Sequence, residues 1–445
     1  MIVSKTYTIE TRLNQCDNAE LIEYVKNYNI LYGKMIRFTW HRYNNGGTFN
    51  MKKHKFNTLL QNIFKVNKRL ANSVINEVER IYKSLYQHKW YEYNQLKGKI
   101  DKQYKKIKQL SNKVFAIHEK SKSEGFTASG LRYYRKLKKQ IFNAKQRINY
   151  LKQKRDNLLK EIKSKDLHIC FGTKKLFYAQ FHLKENKFTS HAVWLEHFRK
   201  ERDNRSLYIG SKDERCCNLI FQLMPLVNAG KHNKFMIQLR KNTKERQYVK
   251  GLCDFKYMDS IMVNNIIKKN HSISYRIVFR KSKCYLQSMI TIDKDMDKCK
   301  TRNAHGTIGL DYNDGFIELA ETNETGNLVN LKHFDLRFHG MGKKAENEIR
   351  TVVSGIVNYS IVTGKDIVIE ELDFRKTKSE AESAKTDKGK NYNRMLHLFD
   401  YSRYKQSFGN CCFRNDVGLV KVNPAYTSKI AKQKYCNPKK LTIHQ

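Results

Sequence analysis

The sequence predicts an α+β multidomain chain. In order, it has a basic helical lobe with a coiled-coil-like hairpin, an antiparallel β-barrel domain and a C-terminal α/β domain. Three observations predict this. Apolar residues recur at steps of three and four from Ile100 to Ile162. Short apolar runs separated by polar turns fill residues 205–292. From Gly306 onward, nearly continuous apolar strands alternate with amphipathic helical stretches. The expected boundaries are 1–15 for an N-terminal strand joining the barrel, 16–200 for the helical lobe, 201–302 for the barrel and 303–445 for the α/β domain. A chain of 445 residues has room for several such domains.

The lobe comes first in the chain and carries the charge. The protein has 87 Lys+Arg against 42 Asp+Glu, a formal net charge of +45. Solubility asks for a net charge of only about 2–8 in a small domain, so the excess points to a polyanion. Phosphate backbone fits, because each neutralised phosphate releases a counterion. A membrane surface is the competing polyanion, but no run of about 18 apolar residues, signal peptide or lipidation motif is visible, so nucleic acid rather than membrane is the expected partner and the protein is expected in prokaryotic cytosol or nucleoid. Aromatic residues at 12% and only 3 prolines argue against a disordered basic tail. The ten cysteines form no C-x-x-C, so they read as reduced, mostly buried thiols, with no zinc site.

Roughly half of the charge excess lies in residues 51–170, with 31 Lys+Arg and 9 Asp+Glu. There Ile100, Tyr104, Ile107, Leu110, Val114 and Ile117 mark one helical stripe. After a break at residues 123–130, Leu137, Ile141, Ala144, Ile148, Leu151, Leu158 and Ile162 mark another. Two such helices joined by a Gly-containing turn make an antiparallel hairpin with cations outside. A merely solvated arm would alternate Glu with Lys. Lys105, Lys106, Lys108, Arg135, Lys138, Lys139 and Arg147 are therefore expected to bind nucleic acid.

In the second region, residues 219–227, 234–239 and 248–255 read as strands. Residues 273–279 and 284–292 read as a hairpin across 280–283, and residues 2–9 alternate like a strand joining the same sheet. Trp40, Trp90 and Trp194 lie in apolar patterns and are expected in the core.

In the third region, Thr307-Ile308-Gly309-Leu310-Asp311 is a buried strand ending in a carboxylate. Residues 316–321 and 328–335 follow as antiparallel partners around Gly326-Asn327. Ile349, Val352, Val353 and Ile356 stripe a helix, Asp366-Ile367-Val368-Ile369-Glu370 is a second buried strand with a terminal acid, residues 375–393 are polar, Leu396, Phe399, Tyr404 and Phe408 stripe another helix, and 419–422 is a third strand. Two such strands would set Asp311 and Glu370 side by side, and close carboxylates ionise together only with cations between them. Hard oxygen ligands and a phosphate substrate suit Mg²⁺ or Mn²⁺. A strand-terminal acid can also be only a cap or turn residue.

Gly309-Leu310-Asp311-Tyr312-Asn313 resembles the first RuvC motif of the TnpB endonucleases of small insertion sequences, and Ile367-Val368-Ile369-Glu370-Glu371-Leu372 resembles their second. The stretch from Leu396 to Phe408 is similar to their next helix. Val422-Asn423-Pro424-Ala425-Tyr426-Thr427-Ser428 is similar to the approach to their third motif. The resemblance implies a C-terminal RNase H-like (RuvC) domain, a wedge-like role for the barrel, and a transposon-associated, RNA-guided DNA endonuclease related to type V CRISPR effectors. It implies Mg²⁺ or Mn²⁺ on Asp311 and Glu370, a guide RNA and a double-stranded target DNA. Two departures stand out. The family's paired C-x-x-C is missing after Thr427-Ser428. The third acid is missing too, and His444 falls about where it belongs, in an apparently incomplete C-terminal region. His444 is thus either the third catalytic group or a frayed terminal histidine, and weak or absent cleavage is expected on such slender support. The alternative is a nuclease-inactive or truncated RNA-guided binder of the same fold.

Overall fold

The computed structural model describes residues 2–43, 49, 51–211, 214, 217–226, 234–242, 247–255, 272–313, 315–338, 342–371 and 401–436. It is a mixed α+β structure that divides into two compact units. One comprises Ser4–Lys97 and Lys138–Ile292, the other Met1–Val3, Gly98–Leu137 and Asp293–Gln445.

The first unit opens with strand β1 (Ile2–Arg12), assigned to it from Ser4 onward, and helix α1 (Ala19–Tyr43). Leu21, Val25, Tyr28, Tyr32, Met35, Ile36 and Trp40 are buried on α1 at helical spacing, the pattern of a core-facing stripe. Helix α2 (Lys53–Phe64) is followed by the two long helices α3 (Lys68–Glu124) and α4 (Ala128–Ser164). The expected hairpin is therefore present, with its turn at 125–127, where Gly125 takes φ +73°. The helices run antiparallel, and Lys89–Glu161 (2.7 Å) and Lys154–Glu92 (3.4 Å) pair across them. The Tyr32 hydroxyl donates to buried Glu77 at 2.7 Å, tying α1 to α3. Short α5 (Lys174–Tyr178) and α6 (His191–Arg202) then pack around Trp194 and Phe198.

Two antiparallel sheets follow. Strands β2 (Arg205–Tyr208), β6 (Ile273–Arg280) and β7 (Lys283–Asp295) join β1 in the order β1-β7-β6-β2. Strands β3 (Phe221–Pro225), β4 (Lys234–Arg240) and β5 (Tyr248–Asp254) form a separate sheet. The N-terminal strand does join the β6–β7 hairpin, as its alternation predicted. Closure into one barrel is not seen in the described pairings, which fall into two sheets. The β6–β7 register runs from Ile273↔Ile290 to Arg280↔Lys283, leaving Lys281 and Ser282 as a two-residue loop with φ of +47° and +62°. Two-residue hairpin turns match strand twist when the first or both central residues take positive φ, and here both do.

The second unit contains a five-stranded sheet, ordered β10-β9-β8-β11-β12. Strands β8 (Thr307–Asn313), β9 (Phe316–Thr322) and β10 (Leu328–Asp335) are an antiparallel meander. Helix α7 (Lys343–Thr363) leads to β11 (Asp366–Glu370), parallel to β8. Helix α8 (Tyr401–Asn415) precedes β12 (Leu419–Val422), parallel to β11. Parallel neighbours need such crossovers. Ile308, Leu310, Ile317, Leu319, Ile367 and Ile369 present one face to Ile349, Val353, Ile356 and Val357 of α7 and to Tyr404, Phe408 and Cys412 of α8. Both helices thus cover one side of the sheet. Gly306 precedes β8 at φ +99°, and a Cβ there would collide with the Thr322 carbonyl, so the entry to β8 requires glycine.

Trp40 and Trp194 are buried as expected, but Trp90 is 37% exposed. It lies well along α3, with its ring edge-on to Tyr93 at 5.5 Å. The helical period is right there, yet it faces no dense core. Residues 375–393, Leu396 and Phe399 lie outside the described residues.

Candidate metal centre and basic surface

Asp311 and Glu370 come from neighbouring parallel strands. The paired register ends at Ile369↔Leu310, and continuing it one step along both strands sets Glu370 opposite Asp311. Register partners share a face, and neighbouring strands lie about 4.8 Å apart. Ile308, Leu310, Ile367 and Ile369 point to the helical core, so Asp311 and Glu370 occupy the opposite face, both half-buried. Strand β8 does not end at Asp311, as the sequence suggested. It continues to Asn313 because the β9 ladder runs on to Asn313↔Phe316 after parallel pairing with β11 stops.

Each carboxylate is held by a neighbour. Asn313 donates its side-chain amide to Asp311 at 3.0 Å. The Thr427 hydroxyl, from short helix α9 (Thr427–Ala431), donates to Glu370 at 2.7 Å. A carboxylate offers about four lone-pair sites, so one donor leaves capacity for a cation. Glu371 belongs elsewhere. It pairs with Lys405 of α8 at 2.8 Å, which holds its carboxyl below the usual range. Behind the site, Tyr312 stacks on Tyr404 at 4.3 Å. Burial pushes the Tyr404 phenol well up, with the nearby Tyr401 and Asp311 adding to it.

Sequence reasoning missed Glu318. It is the antiparallel partner of Asp311, so Glu318, Asp311 and Glu370 form a row across three strands on one face. Like charges directly opposite one another are destabilising. At one end of the row His333 relieves this, meeting Glu318 at 2.6 Å through Nδ1 and Asp335 at 3.0 Å through Nε2. Hydrogen bonds to these two carboxylates raise the His333 imidazole above its ordinary value. Among the described residues, no ion pair joins a cation to Asp311 or Glu370. The signal available in the sequence was Asp314-Gly315, a dipeptide type that favours a tight hairpin between two strands.

Two adjacent carboxylates suit Mg²⁺ or Mn²⁺ in donor chemistry, since Mg²⁺ keeps several waters and takes one or two carboxylates plus substrate phosphates. Among the described residues, no group of three or more His, Cys, Asp or Glu side chains is placed to hold one metal ion. His444 lies outside the described residues.

On the hairpin, Lys105, Lys106 and Lys108 are exposed on α3, and Arg135, Lys138, Lys139 and Arg147 are exposed on α4. Arg147 lies over the Tyr150 ring, 5.1 Å from its centroid. Four of the eight described cysteines, Cys217, Cys253, Cys284 and Cys412, are buried thiols. Among the described residues no helix is long and apolar enough to cross a membrane.

No protein-family model and no curated protein matches the chain. Among solved structures it is similar to the Cas12i1–crRNA binary complex at 9% identity and a TM-score of 0.27, covering 86% of this chain and 47% of that one. It is also similar to the Cas12i1 R-loop complex after target DNA cleavage, at 10% identity and 0.28, covering 86% and 47%. The R-loop complex before cleavage gives 9% and 0.22, covering 89% and 51%. The chain spans about half the length of these proteins, and at such TM-scores the likeness carries no argument.

Proposed function

We propose that this chain is a TnpB-like, transposon-associated, RNA-guided DNA endonuclease with a RuvC-type centre in its RNase H-like C-terminal domain. The observation that supports the proposal is the parallel pairing of β8 with β11 up to Ile369↔Leu310, one residue before Glu370 and Asp311. In open α/β sheets, ligands bind at the carboxyl ends of such strands. Thr427, from the stretch that resembles the approach to a third RuvC motif, donates to Glu370, so three motif-like segments converge on one place. Asp311 and Glu370 would hold Mg²⁺ or Mn²⁺. When bound, the metal supplies charge neutralisation and polarises a phosphodiester for hydrolysis. Asn313 and Thr427 orient the two carboxylates, and His444 is proposed as the third catalytic group. The two antiparallel sheets are taken as parts of a wedge-like barrel, and the α3–α4 hairpin as a grip on phosphate backbone. Sequence choice would rest with base pairing to a guide RNA.

The test is co-expression with the transcript flanking the gene, followed by purification and incubation with matched and mismatched duplex DNA in Mg²⁺. We expect a retained, defined RNA. We expect matched-target cleavage abolished by Asp311→Ala or Glu370→Gln and lowered by His444→Ala. Absence of any retained RNA, or cutting that survives Asp311→Ala, would overturn the proposal.

A further inference from the structure

Hairpin helices α3 and α4 sort their apolar side chains in an unusual way. On α4 the buried positions are Leu137, Ala144, Ile148, Leu151, Leu158 and Ile162, all aliphatic. Its exposed large apolar residues are Tyr133, Phe142 and Tyr150, all aromatic. On α3 the exposed set is Trp90, Tyr91, Tyr104 and Phe115, again wholly aromatic. Aromatic rings carry the largest hydrophobic driving force, so burying aliphatics while exposing rings is the reverse of what stability alone selects.

The part of α4 from residue 138 onward belongs to a single unit. Phe142 and Tyr150 are 59% and 55% exposed there. Eight residues separate them, about 12 Å of helix, and both point away from the aliphatic seam. Lys138, Lys139, Lys145 and Arg147 surround them, all exposed, and no acidic residue occurs from 128 to 155. The Arg147 guanidinium lies over one face of the Tyr150 ring, 5.1 Å from its centroid, and the ring remains 55% exposed. Between the rings stand the exposed amides Gln146 and Asn149, with Gln153 one turn beyond.

We infer that this face of α4 binds an unpaired segment of RNA, with bases stacked on Phe142 and Tyr150 and phosphates on the flanking cations. The inference deepens the proposed function by naming what the hairpin holds. Stacking rings interleaved with Lys and Arg suit single strands, because a paired base hides its ring faces. Amides between the rings can meet base edges and the ribose 2′-hydroxyl, which commits the surface to RNA. A membrane surface would need a continuous apolar face for insertion, and here the exposed amides Gln146, Asn149 and Gln153 interrupt it. A protein interface would be poor in Lys.

The experiment uses the full chain. Binding of a fluorescent oligouridine is measured by anisotropy against an RNA duplex and an oligothymidine of equal length. The 4-thiouridine form is photocrosslinked, and the attachment peptides are mapped. We expect Phe142→Ala/Tyr150→Ala to weaken oligouridine binding at least about tenfold and duplex binding less than about twofold. Phe142→Trp/Tyr150→Trp should retain binding, and crosslinks should fall on α4. Both rings are exposed, so an unchanged melting temperature is expected for each variant. Equal oligouridine binding by parent and alanine variant, an equal loss for duplex, or crosslinks only elsewhere would overturn the stacking surface. Equally tight and equally sensitive oligothymidine binding would overturn its assignment to RNA. Displacement of the oligouridine by phosphatidylserine vesicles would overturn it in favour of a membrane. A parent that bound no nucleic acid at all would take the proposed function down with it. A parent that bound while the alanine variant was unaffected would remove only the stacking surface.

Discussion

At Glu321 a carboxylate that is 5% exposed meets the Lys365 ammonium at 2.5 Å and accepts from the Tyr359 hydroxyl. Burial alone would raise this carboxyl, but Lys365 and Tyr359 hold it below its usual value. A depressed carboxyl contributes stability above its unfolded value, near 4.3, that is lost as pH falls through the folded value. Lys365→Ala strands the buried charge, and we expect a loss of about 3–5 kcal/mol at pH 7. The loss should shrink as pH falls through the lowered folded value, where Glu321 protonates. Urea denaturation at several pH values checks it; a loss independent of pH would remove the charge explanation. Among single residues, the placement of Asp311 and Glu370 on two adjacent parallel strands was legible from the two apolar runs that lead to them. Glu318 was not, because its place beside Asp311 depends on a cross-strand register rather than on neighbours in the chain.

Among the elements, local pattern predicted best. The hairpin helices, the β6–β7 pair and the alternation of β8 to β12 with helices follow from periodicity and turn residues, and the structure has them. Sheet membership was less legible. Strands β3, β4 and β5 read as parts of one barrel with β6 and β7, yet they pair only with each other in the described ladders. Strand patterns give faces, whereas partners are chosen by long-range packing. Trp90 was misread for a related reason, since periodicity assigns a face but not what that face meets. The β6–β7 turn offers a test at this scale. Lys281 and Ser282 both adopt a conformation that costs L residues about 1 kcal/mol or more each. Lys281→Asn with Ser282→Gly should therefore stabilise the chain by about 1 kcal/mol, raising Tm by roughly 2–4 °C. A lower Tm would show that the loop side chains make contacts outweighing the backbone strain.

Over the whole molecule, the net charge of +45 governs association more than fold. Log K for RNA against log salt should fall with a slope of about −0.7 to −0.9 per phosphate contact, several units in total. Replacing Lys105, Lys106 and Lys108 together by Gln should flatten it by about 2 units while the helical content stays unchanged. A parent slope near zero would contradict the reading of the hairpin as a phosphate-binding lobe. The nuclease reading turns on whether Asp311 and Glu370 act as one cation site. Mn²⁺ titration followed by electron paramagnetic resonance measures that without requiring a guide or a target. Asp311→Ala and Glu370→Gln should each remove most Mn²⁺ binding while leaving the metal-free melting temperature equal or higher, because each relieves repulsion in the carboxylate row. Mn²⁺ bound equally by the parent and both variants would contradict the paired-carboxylate site.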